Sequence, residues 1–187
     1  MAIFASGSGS NAQKIIEYFD ASLNAEIGLV VSNRAEALVL ERAHKAQIDT
    51  QVFSNSQFKE GTEVIRLLQN LKIDYIILAG FLLKIPIALI RNFPRKIINI
   101  HPALLPKYGG KGMYGKHVHQ AVFDHFEVES GITIHYVNEA YDEGQIIFQK
   151  SVTLELLDTP DIIATKVLEL EHYHYPRVID NLLTLSN

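Results

Sequence analysis

The sequence has no cysteine among its 187 residues, which excludes disulfides, thiolate metal sites and covalent thiol catalysis. This absence fits a reducing compartment, and we expect the protein in the cytoplasm. A basic excess is also missing: the formal charge is -4 and the pI is about 6.0, so the chain lacks the broad positive surface that binds nucleic acid. Small anionic ligands are not excluded, because a local loop can bind one.

Long apolar runs are absent too. The longest, residues 75–83, is too short to cross a bilayer and contains Gly80, so we predict no membrane span and no membrane partner. The N-terminal residues lead straight into glycines, without the basic and apolar regions of a signal peptide. With 48% hydrophobic and 20% charged residues, the composition is typical of a globular protein, and we expect one domain over residues 1–187.

The first hundred residues alternate between apolar runs and stretches with helical spacing. The predicted strands are 2–5, 27–31, 50–53, 74–79 and 97–100, and the predicted helices are 12–19, 35–46, 57–71 and 87–92. Continuous apolar strands separated by helices are typical of a parallel sheet that is covered on both faces. This half of the chain therefore predicts repeated β-α units.

The second half begins with a loop of four glycines and two tyrosines at 108–115. The elements predicted after it are a helix at 117–126, strands at 131–137 and 145–152, and a helix from 159 to about 185. Pro176 is a candidate break in that last helix. The two strands are joined by so short a connection that they must be antiparallel. The predicted fold class is α/β, with a mostly parallel mixed sheet, helices on both faces and an antiparallel C-terminal hairpin.

Residues 98–101 end an apolar strand with an amide and an imidazole, those of Asn99 and His101. Alternate residues of a strand share a face, so these two side chains point the same way. Carbonyl chemistry needs a donor for the reacting oxygen and a group that holds or moves a proton, and Asn99 and His101 can supply them. A strand end with a capping asparagine and an ordinary surface histidine is the structural alternative.

Residues 7–11, Gly-Ser-Gly-Ser-Asn, lie between the first predicted strand and the first predicted helix. Free backbone N–H groups and the positive end of a helix dipole favour a phosphate at such a place. The loop lacks the third glycine of the dinucleotide fingerprint and the Gly-Lys-Ser/Thr ending of a nucleoside triphosphate loop, so a monophosphate is the better match. A tight turn without a ligand is the alternative interpretation.

Asp142 lies in the predicted hairpin loop, two residues before Gly144. Its carboxylate could accept a proton or hold a water near His101, although aspartates are also common in plain turns. Loops at the carboxyl ends of parallel strands converge on one crevice, and a hairpin loop could close that crevice. This architecture favours a functional role for Asp142.

The eight histidines raise the question of a metal site. The pairs His117/His119 and His172/His174 are spaced by two, which puts helical side chains about 200° apart on different faces. No third or fourth ligand follows from a known motif, so we predict no metal. His135, inside a predicted strand, is expected to be a hydrogen-bonded histidine of the core or of a site wall.

Five motifs occur in an order that one enzyme family shares. They are the glycine loop at 7–11, Val-Ser-Asn-Arg-Ala at 31–35, Leu-Ala-Gly-Phe at 78–81, the run at 99–106 and the segment at 131–144. On these motifs, which cover nearly the whole length, the chain resembles the phosphoribosylglycinamide formyltransferase family of purine synthesis. The resemblance implies a Rossmann-like formyltransferase fold. It also implies two functional halves, with phosphate binding in about 1–100 and catalytic and folate groups in about 101–187.

The implied reaction is direct transfer of the formyl group of 10-formyltetrahydrofolate to the amine of 5′-phosphoribosylglycinamide, through a tetrahedral intermediate and without an acyl-enzyme. The implied catalytic residues are Asn99, His101 and Asp142, with Asp142 expected to raise the pKa of His101. The implied substrate residues are Gly9, Ser10 and Asn11 at the phosphate and Glu171 on the last helix. No metal is implied, and the protein would act as a monomer or homodimer on small molecules alone.

By the same resemblance, the folate would contact two segments of the chain and the strand end between them. The implied folate residues are Lys59, Leu82, Leu83, Lys84, Ile85, Asn99, Asn138, Glu139, Ala140 and Tyr141. Some relatives have a basic residue where Leu83 stands here, so contacts with the folate tail are expected to shift to Lys84 or Lys59.

Other formyl-folate enzymes are similar around Asn99, His101 and Asp142. A methionyl-transfer-RNA formyltransferase and a formyltetrahydrofolate hydrolase are the nearest rivals, but we expect no room in 187 residues for their additional domains. The acidic balance disfavours transfer RNA, and the glycine loop favours a phosphorylated small substrate. A folate- or nucleotide-binding module without turnover is a rival of another class, and it would not need a histidine and an aspartate in one crevice.

Overall fold

The computed structural model describes residues 1–22 and 24–185. Its strands are β1 (Ala2–Phe4), β2 (Leu29–Ser32), β3 (Thr50–Val52), β4 (Ile76–Leu78), β5 (Ile97–His101), β6 (Glu129–Tyr136) and β7 (Ile146–Thr153). Its helices are α1 (Ser10–Phe19), α2 (Leu38–Lys45), α3 (Asn55–Glu60), α4 (Thr62–Asn70), α5 (Ile87–Asn92), α6 (Lys116–Asp124) and α7 (Pro160–Leu185).

The seven strands form one sheet in the order β3-β2-β1-β4-β5-β6-β7. Strands β1 to β5 pair in parallel, whereas β5 pairs antiparallel with β6 and β6 pairs antiparallel with β7. The mixed sheet and its antiparallel C-terminal hairpin confirm the predicted fold class. None of the helices in the described part of the chain is long and apolar enough to cross a membrane.

Each face of the sheet carries an apolar core, which explains why the parallel strands are continuously apolar. Ile3, Ile98 and Ile100 belong to the cluster that also contains buried residues of α1 and α7. Phe4 and Ile97 belong to the cluster on the opposite face, together with buried residues of α3, α4 and α5. Because successive strand residues point to opposite faces, a strand that is covered on both sides is apolar at most of its positions.

Two helices differ from their predictions. The predicted helix 57–71 is divided by Gly61, which has a φ of 75° and serves as the C-cap of α3 and the N-cap of α4. Glycine takes this left-handed conformation at little cost, so the chain turns there instead of continuing the helix. Pro176, by contrast, lies inside a continuous α7 and is buried. The candidate break at Pro176 is therefore wrong.

The direction of the chain along the sheet changes between β1 and β4, because β2 and β3 follow β1 on one side and β4 and β5 continue on the other. In open α/β sheets a crevice forms at such a switch point, outside the carboxyl ends of the strands. Here the loops after β1 and β4 are tied together, since the Ser6 N–H donates to the Gly80 carbonyl at 3.1 Å and the Leu82 N–H donates to Ser6 Oγ at 2.9 Å.

Candidate active site

Asn99 and His101 lie at the carboxyl end of β5, the last of the parallel strands. Ile98 and Ile100 point into the core beneath α1 and α7, so the two polar side chains project from the opposite face. His101 is only 4% exposed and Asn99 is half-buried. The alternation predicted from the sequence therefore places an amide and an imidazole side by side at the edge where ligands bind in such sheets.

Asp142 reaches this strand end from the loop between β6 and β7. Its carboxylate oxygen Oδ2 lies 3.6 Å from His101 Nδ1 and accepts a hydrogen bond from the Gly110 N–H at 2.9 Å. The loop lies close enough because residue 144 is glycine: a Cβ there would come 1.6 Å from the Tyr136 carbonyl oxygen. The structure thus brings together the three predicted catalytic residues.

His135 joins these residues from β6. It stands opposite Asn99 in the antiparallel register, and its Nε2 is 3.1 Å from Asn99 Nδ2 and 3.7 Å from Asp142 Oδ1. Its Nδ1 lies 3.0 Å from the Tyr136 carbonyl, which can only accept, so this nitrogen carries a proton. The buried His135 is therefore both the hydrogen-bonded and the site-wall histidine that was expected, and it links the amide to the carboxylate.

The imidazole of His101 has a defined proton arrangement. Its Nε2 donates to the Tyr108 carbonyl at 2.7 Å, so in the neutral ring Nδ1 presents its lone pair towards Asp142. Burial lowers the pKa of His101 below its ordinary value, while the Asp142 carboxylate and the Tyr108 carbonyl act to raise it. Asp142 thus acts on the pKa of His101 in the expected direction, but burial outweighs the carboxylate and the net pKa lies below the ordinary value.

The Asp142 carboxyl is held ionised next to this ring. Burial acts to raise the pKa of Asp142, but His135, His101 and the Gly110 N–H together outweigh burial and hold that pKa below its ordinary value. A carboxylate thus faces the Nδ1 of a neutral histidine. Such a pair can take up a proton at Nδ1 and stabilise the imidazolium that results.

The predicted phosphate residues Gly9, Ser10 and Asn11 form the start of α1, which begins two residues earlier than predicted. Gly9 is the N-cap, with a φ of 71°, and no side chain caps the helix. The N–H groups of a first helical turn have no partner within the helix, and here the first turn carries no acidic residue either. Backbone donors and the helix dipole are therefore free to meet an anion at this end of α1.

Replacing Gly9 with alanine is expected to destabilise the protein. The left-handed backbone costs a residue with a side chain about 1–3 kcal/mol. A Cβ at Gly9 would also lie 2.6 Å from Cβ and Cγ2 of Val39 on α2. Urea denaturation should show a loss of about that size or more in the free energy of unfolding. Gly7→Ala is the matched control, because no atom lies within 4 Å of a Cβ built there; an equal loss in both variants would contradict the explanation.

Glu171 links the last helix to this loop. Asn11 Nδ2 donates to Glu171 Oε2 at 2.6 Å, and the Glu171 side chain is buried. One turn further along α7, the Tyr175 hydroxyl donates to the carbonyls of Leu78 and Ile98 at 2.9 and 3.1 Å. This docks α7 against β4 and β5, next to the strand end that carries Asn99. Glu171 therefore lies beside the glycine loop, and its contact with the substrate stays a prediction.

Burial raises the pKa of Glu171 to about 7, despite the hydrogen bond from Asn11. The unfolded chain ionises this carboxyl near pH 4.5, whereas the folded protein resists ionisation up to about pH 7. Its contribution to stability is thus complete below pH 4.5 and is lost as the pH rises to 7. A shift of this size corresponds to at most about 3 kcal/mol.

Glu171→Gln is consequently expected to be more stable than the unchanged protein at pH 8, with a difference that shrinks towards pH 5. Chemical denaturation at the two pH values measures this difference. Glu169→Gln removes the same charge from an exposed position on α7 and should show no such pH dependence. A stability difference between Glu171→Gln and the unchanged protein that stays constant with pH would rule out this account of Glu171.

The two segments that were expected to bind folate face one another. Lys84 Nζ lies 5.1 Å from the centre of the Tyr141 ring, which connects the segment after β4 with the loop after β6. Leu82 is 46% exposed, whereas the Ile85 side chain is buried in the core. Lys59 is exposed on the last turn of α3, and no described hydrogen bond or ion pair links it to either segment.

The remaining predicted folate residues lie on the loop after β6 and beside Leu82. Leu83 is half-buried against the core that contains Phe4 and Ile97. Within the loop, the Ala140 N–H donates to Asn138 Oδ1 at 3.1 Å, and Glu139 Oε1 lies 3.7 Å from Arg91 Nη2 of α5. The loop is thus held by its own side chains and by α5.

Among the described residues, no group of three or more histidine, aspartate or glutamate side chains has an arrangement that could hold a metal ion. The histidines at 117 and 119 share α6, and those at 172 and 174 share α7. His174 stacks on Phe148, and His117 meets the edge of the Tyr114 ring. These rings therefore have aromatic neighbours.

Residues 1–179 match the family that is described as formyl transferase. The chain belongs to this family. The match covers both the glycine loop and the strand end with Asn99 and His101, and it confirms the family that the sequence motifs indicated.

Several relatives of the chain carry the name phosphoribosylglycinamide formyltransferase. Phosphoribosylglycinamide formyltransferase of Arabidopsis thaliana, a chloroplastic protein, is 41% identical over 185 residues, which are 96% of this chain and 63% of that protein. The Bacillus subtilis protein of the same name is 35% identical over 100% of this chain and 95% of its own length. The chain spans less than two thirds of the plant relatives, 63% for Arabidopsis thaliana and 60% for Vigna unguiculata.

Solved structures agree with the fold. The crystal structure of phosphoribosylglycinamide formyltransferase from Bacillus halodurans has a TM-score of 0.91 at 34% identity, over 100% of this chain and 96% of that one. The corresponding structure from Anaplasma phagocytophilum has a TM-score of 0.89 at 30% identity, over 98% and 86% of the two chains. The α/β formyltransferase fold is therefore the fold of this chain.

Proposed function

We propose that the protein transfers the formyl group of 10-formyltetrahydrofolate to the amine of 5′-phosphoribosylglycinamide, in the synthesis of purines. The products are formylglycinamide ribonucleotide and tetrahydrofolate. Membership of the formyl transferase family and the names of the relatives support this reaction. The observation that best supports this reaction is the grouping of Asn99, His101 and Asp142 at one edge of the sheet. The glycine loop lies at the same edge, and the helix that it begins, α1, has no side-chain cap.

The acceptor would be held from its phosphate. Backbone N–H groups at Gly9, Ser10 and Asn11 would donate to the phosphate oxygens, supported by the dipole of α1. Glu171 lies beside Asn11 and would contact the polar part of the acceptor between the phosphate and the amine. The acceptor would then extend from its phosphate at the glycine loop to its amine at the carboxyl end of β5.

Asn99 would hold the oxygen of the formyl group. Its amide nitrogen has two N–H donors, of which one is engaged with His135, so the second can donate to the oxygen as negative charge develops. His101 would take up the proton that the attacking amine loses, at the Nδ1 that faces Asp142. The Asp142 carboxylate would stabilise the resulting imidazolium, and the same proton could return to the departing nitrogen.

The residues of the two segments that are expected to bind folate, the one after β4 and the one after β6, have side chains that fit a folate. Lys84 and Lys59 are exposed cations that suit an acidic tail, while Leu82 offers an exposed apolar surface to a flat ring. Leu83, Ile85, Asn138, Glu139, Ala140 and Tyr141 complete the proposed folate set. When bound, the folate supplies the formyl carbon on a nitrogen that can leave as a neutral amine. The chain would orient that carbon between Asn99 and His101.

The first test is an assay of acceptor-dependent formyl transfer. The absorbance change of the folate monitors the reaction. Turnover with 5′-phosphoribosylglycinamide and none without it would support the proposed reaction. Formate release without an acceptor would indicate a hydrolase instead, and transfer to methionyl-transfer RNA would indicate that other formyltransferase. Folate binding without any turnover would favour a binding module, so each result assigns the chain to one class.

The remaining parts of the proposal concern the setting of the reaction. We propose a cytoplasmic location, no metal and no nucleic acid partner, and action as a monomer or homodimer. The lack of cysteine supports the cytoplasmic location, and the net charge of -4 supports the absence of a nucleic acid partner. Activity that survives treatment with a chelator, and sedimentation of the purified protein, would check the metal requirement and the oligomeric state.

A further inference from the structure

Helix α2 is docked against the glycine loop by two hydrogen bonds to successive loop carbonyls. The Val39 N–H donates to the Gly7 carbonyl at 3.2 Å, and Arg42 Nε donates to the Ser8 carbonyl at 2.8 Å. Both carbonyls therefore point towards α2. Sequence reasoning gave Arg42 no role, because it lies 34 positions from Ser8.

The direction of these carbonyls fixes the direction of the N–H groups that follow them. In a planar trans peptide the C=O and the next N–H point in opposite directions. The bonds after Gly7 and Ser8 are not among the cis peptides of the described chain, so the N–H groups of Ser8 and Gly9 point away from α2. Successive N–H groups that point to one side of a turn form a concavity that binds anions.

Arg42 also contacts α1. Its Nη1 donates to Gln13 Oε1 at 3.2 Å, so one guanidinium holds both the loop and the second turn of the helix that the loop begins. The planar fork of arginine suits two acceptors at a fixed angle, which a lysine ammonium does not reproduce. No carboxylate lies within salt-bridge distance of Arg42 in the described ion pairs, so its positive charge is not neutralised locally.

We propose that Arg42 is a positioning residue for the phosphate of the acceptor. It holds the Ser8 carbonyl towards α2, so that the Gly9 N–H points to the opposite side of the loop, where the phosphate would bind. It also adds a positive charge, without a carboxylate partner, on the α2 side of the loop. This inference rests on the proposed function, since it assumes that the loop at 7–11 receives the phosphate. Arg42 itself acts through the loop and leaves the reacting atoms to Asn99, His101 and Asp142.

The test compares a phosphorylated acceptor with the same acceptor lacking the phosphate. Arg42→Gln is expected to raise KM for 5′-phosphoribosylglycinamide about 10- to 100-fold, the range of one charge-assisted hydrogen bond. KM for ribosylglycinamide and kcat at saturation should change less than about twofold. Arg42→Lys keeps the charge but loses the fork, so its KM for 5′-phosphoribosylglycinamide is expected to lie between those of the unchanged protein and Arg42→Gln. Lys45→Gln, the same charge change at an exposed position of α2, should leave KM unchanged.

A second measurement separates this inference from the proposed reaction. Inorganic phosphate at constant ionic strength should raise the Tm of the unchanged protein and of Lys45→Gln but not that of Arg42→Gln. That pattern supports the role of Arg42 even if 5′-phosphoribosylglycinamide is not turned over. The lack of turnover would contradict only the proposed reaction. The inference is overturned if phosphate stabilises Arg42→Gln normally or does not stabilise the unchanged protein. A KM increase that is the same for both acceptors overturns it too.

Discussion

Replacing His101 with alanine is expected to lower kcat for formyl transfer by about 10³-fold, within the range of one general acid–base group. The imidazole donates from Nε2 to the Tyr108 carbonyl and presents Nδ1 to Asp142, so its position and its proton are both defined. Alanine removes the group that takes up the proton of the attacking amine. The measurement is kcat at saturating concentrations of both substrates, with the folate absorbance as the signal.

Two controls make this result specific to the imidazole. His44→Ala removes an exposed histidine of α2 and should retain kcat within about twofold. Since His101 is buried and its loss could disturb β5, His101→Gln is measured as well; it keeps a polar side chain at the site and should be as inactive as alanine. Folded variants that keep more than a tenth of kcat would exclude His101 as the proton carrier.

The sequence was sufficient to predict that Asn99 and His101 lie together at the crevice, because two simple rules determine their placement. The alternation of strand residues puts Asn99 and His101 on one face, and the edge rule for parallel sheets puts the loops after β1, β4 and β5 at one crevice. Neither rule depends on side-chain packing. Neither rule places Asp142, whose loop joins the antiparallel strands β6 and β7. The family resemblance indicated this residue, and the structure places its Oδ2 3.6 Å from His101 Nδ1.

What the sequence could not predict depends on long-range register and burial. His135 contacts Asn99 only because β5 and β6 pair with these two residues opposite, and a strand's sequence does not state its partner's register. Burial of the His101 ring is a property of the whole fold, so the net direction of its pKa could not follow from a nearby carboxylate alone. The division of the predicted helix 57–71 at Gly61, in contrast, could have been predicted from the sequence, because glycine is a signal for the end of a helix.

Asp142→Asn is the second substitution with a large expected effect, a decrease of about 10²-fold in kcat or more, because the imidazolium of His101 loses the charge that stabilises it. Asparagine can still accept the hydrogen bond from the Gly110 N–H, which holds the loop at 2.9 Å in the unchanged protein. The substitution therefore removes the charge with little change in shape. Glu143→Gln, one residue further along and exposed, is the matched control and should keep kcat within about twofold.

The pH dependence of Asp142→Asn distinguishes a charge effect from a misplaced loop. The carboxylate is one of the groups that raise the pKa of His101 against the effect of burial, so its removal must lower that pKa further. The acidic limb of the profile of kcat against pH, where His101 gains its proton, is consequently expected to move to lower pH. A loop that is only displaced would reduce kcat at every pH without moving that limb. A limb at the same pH in both proteins would thus show that Asp142 positions the loop and does not act on the histidine.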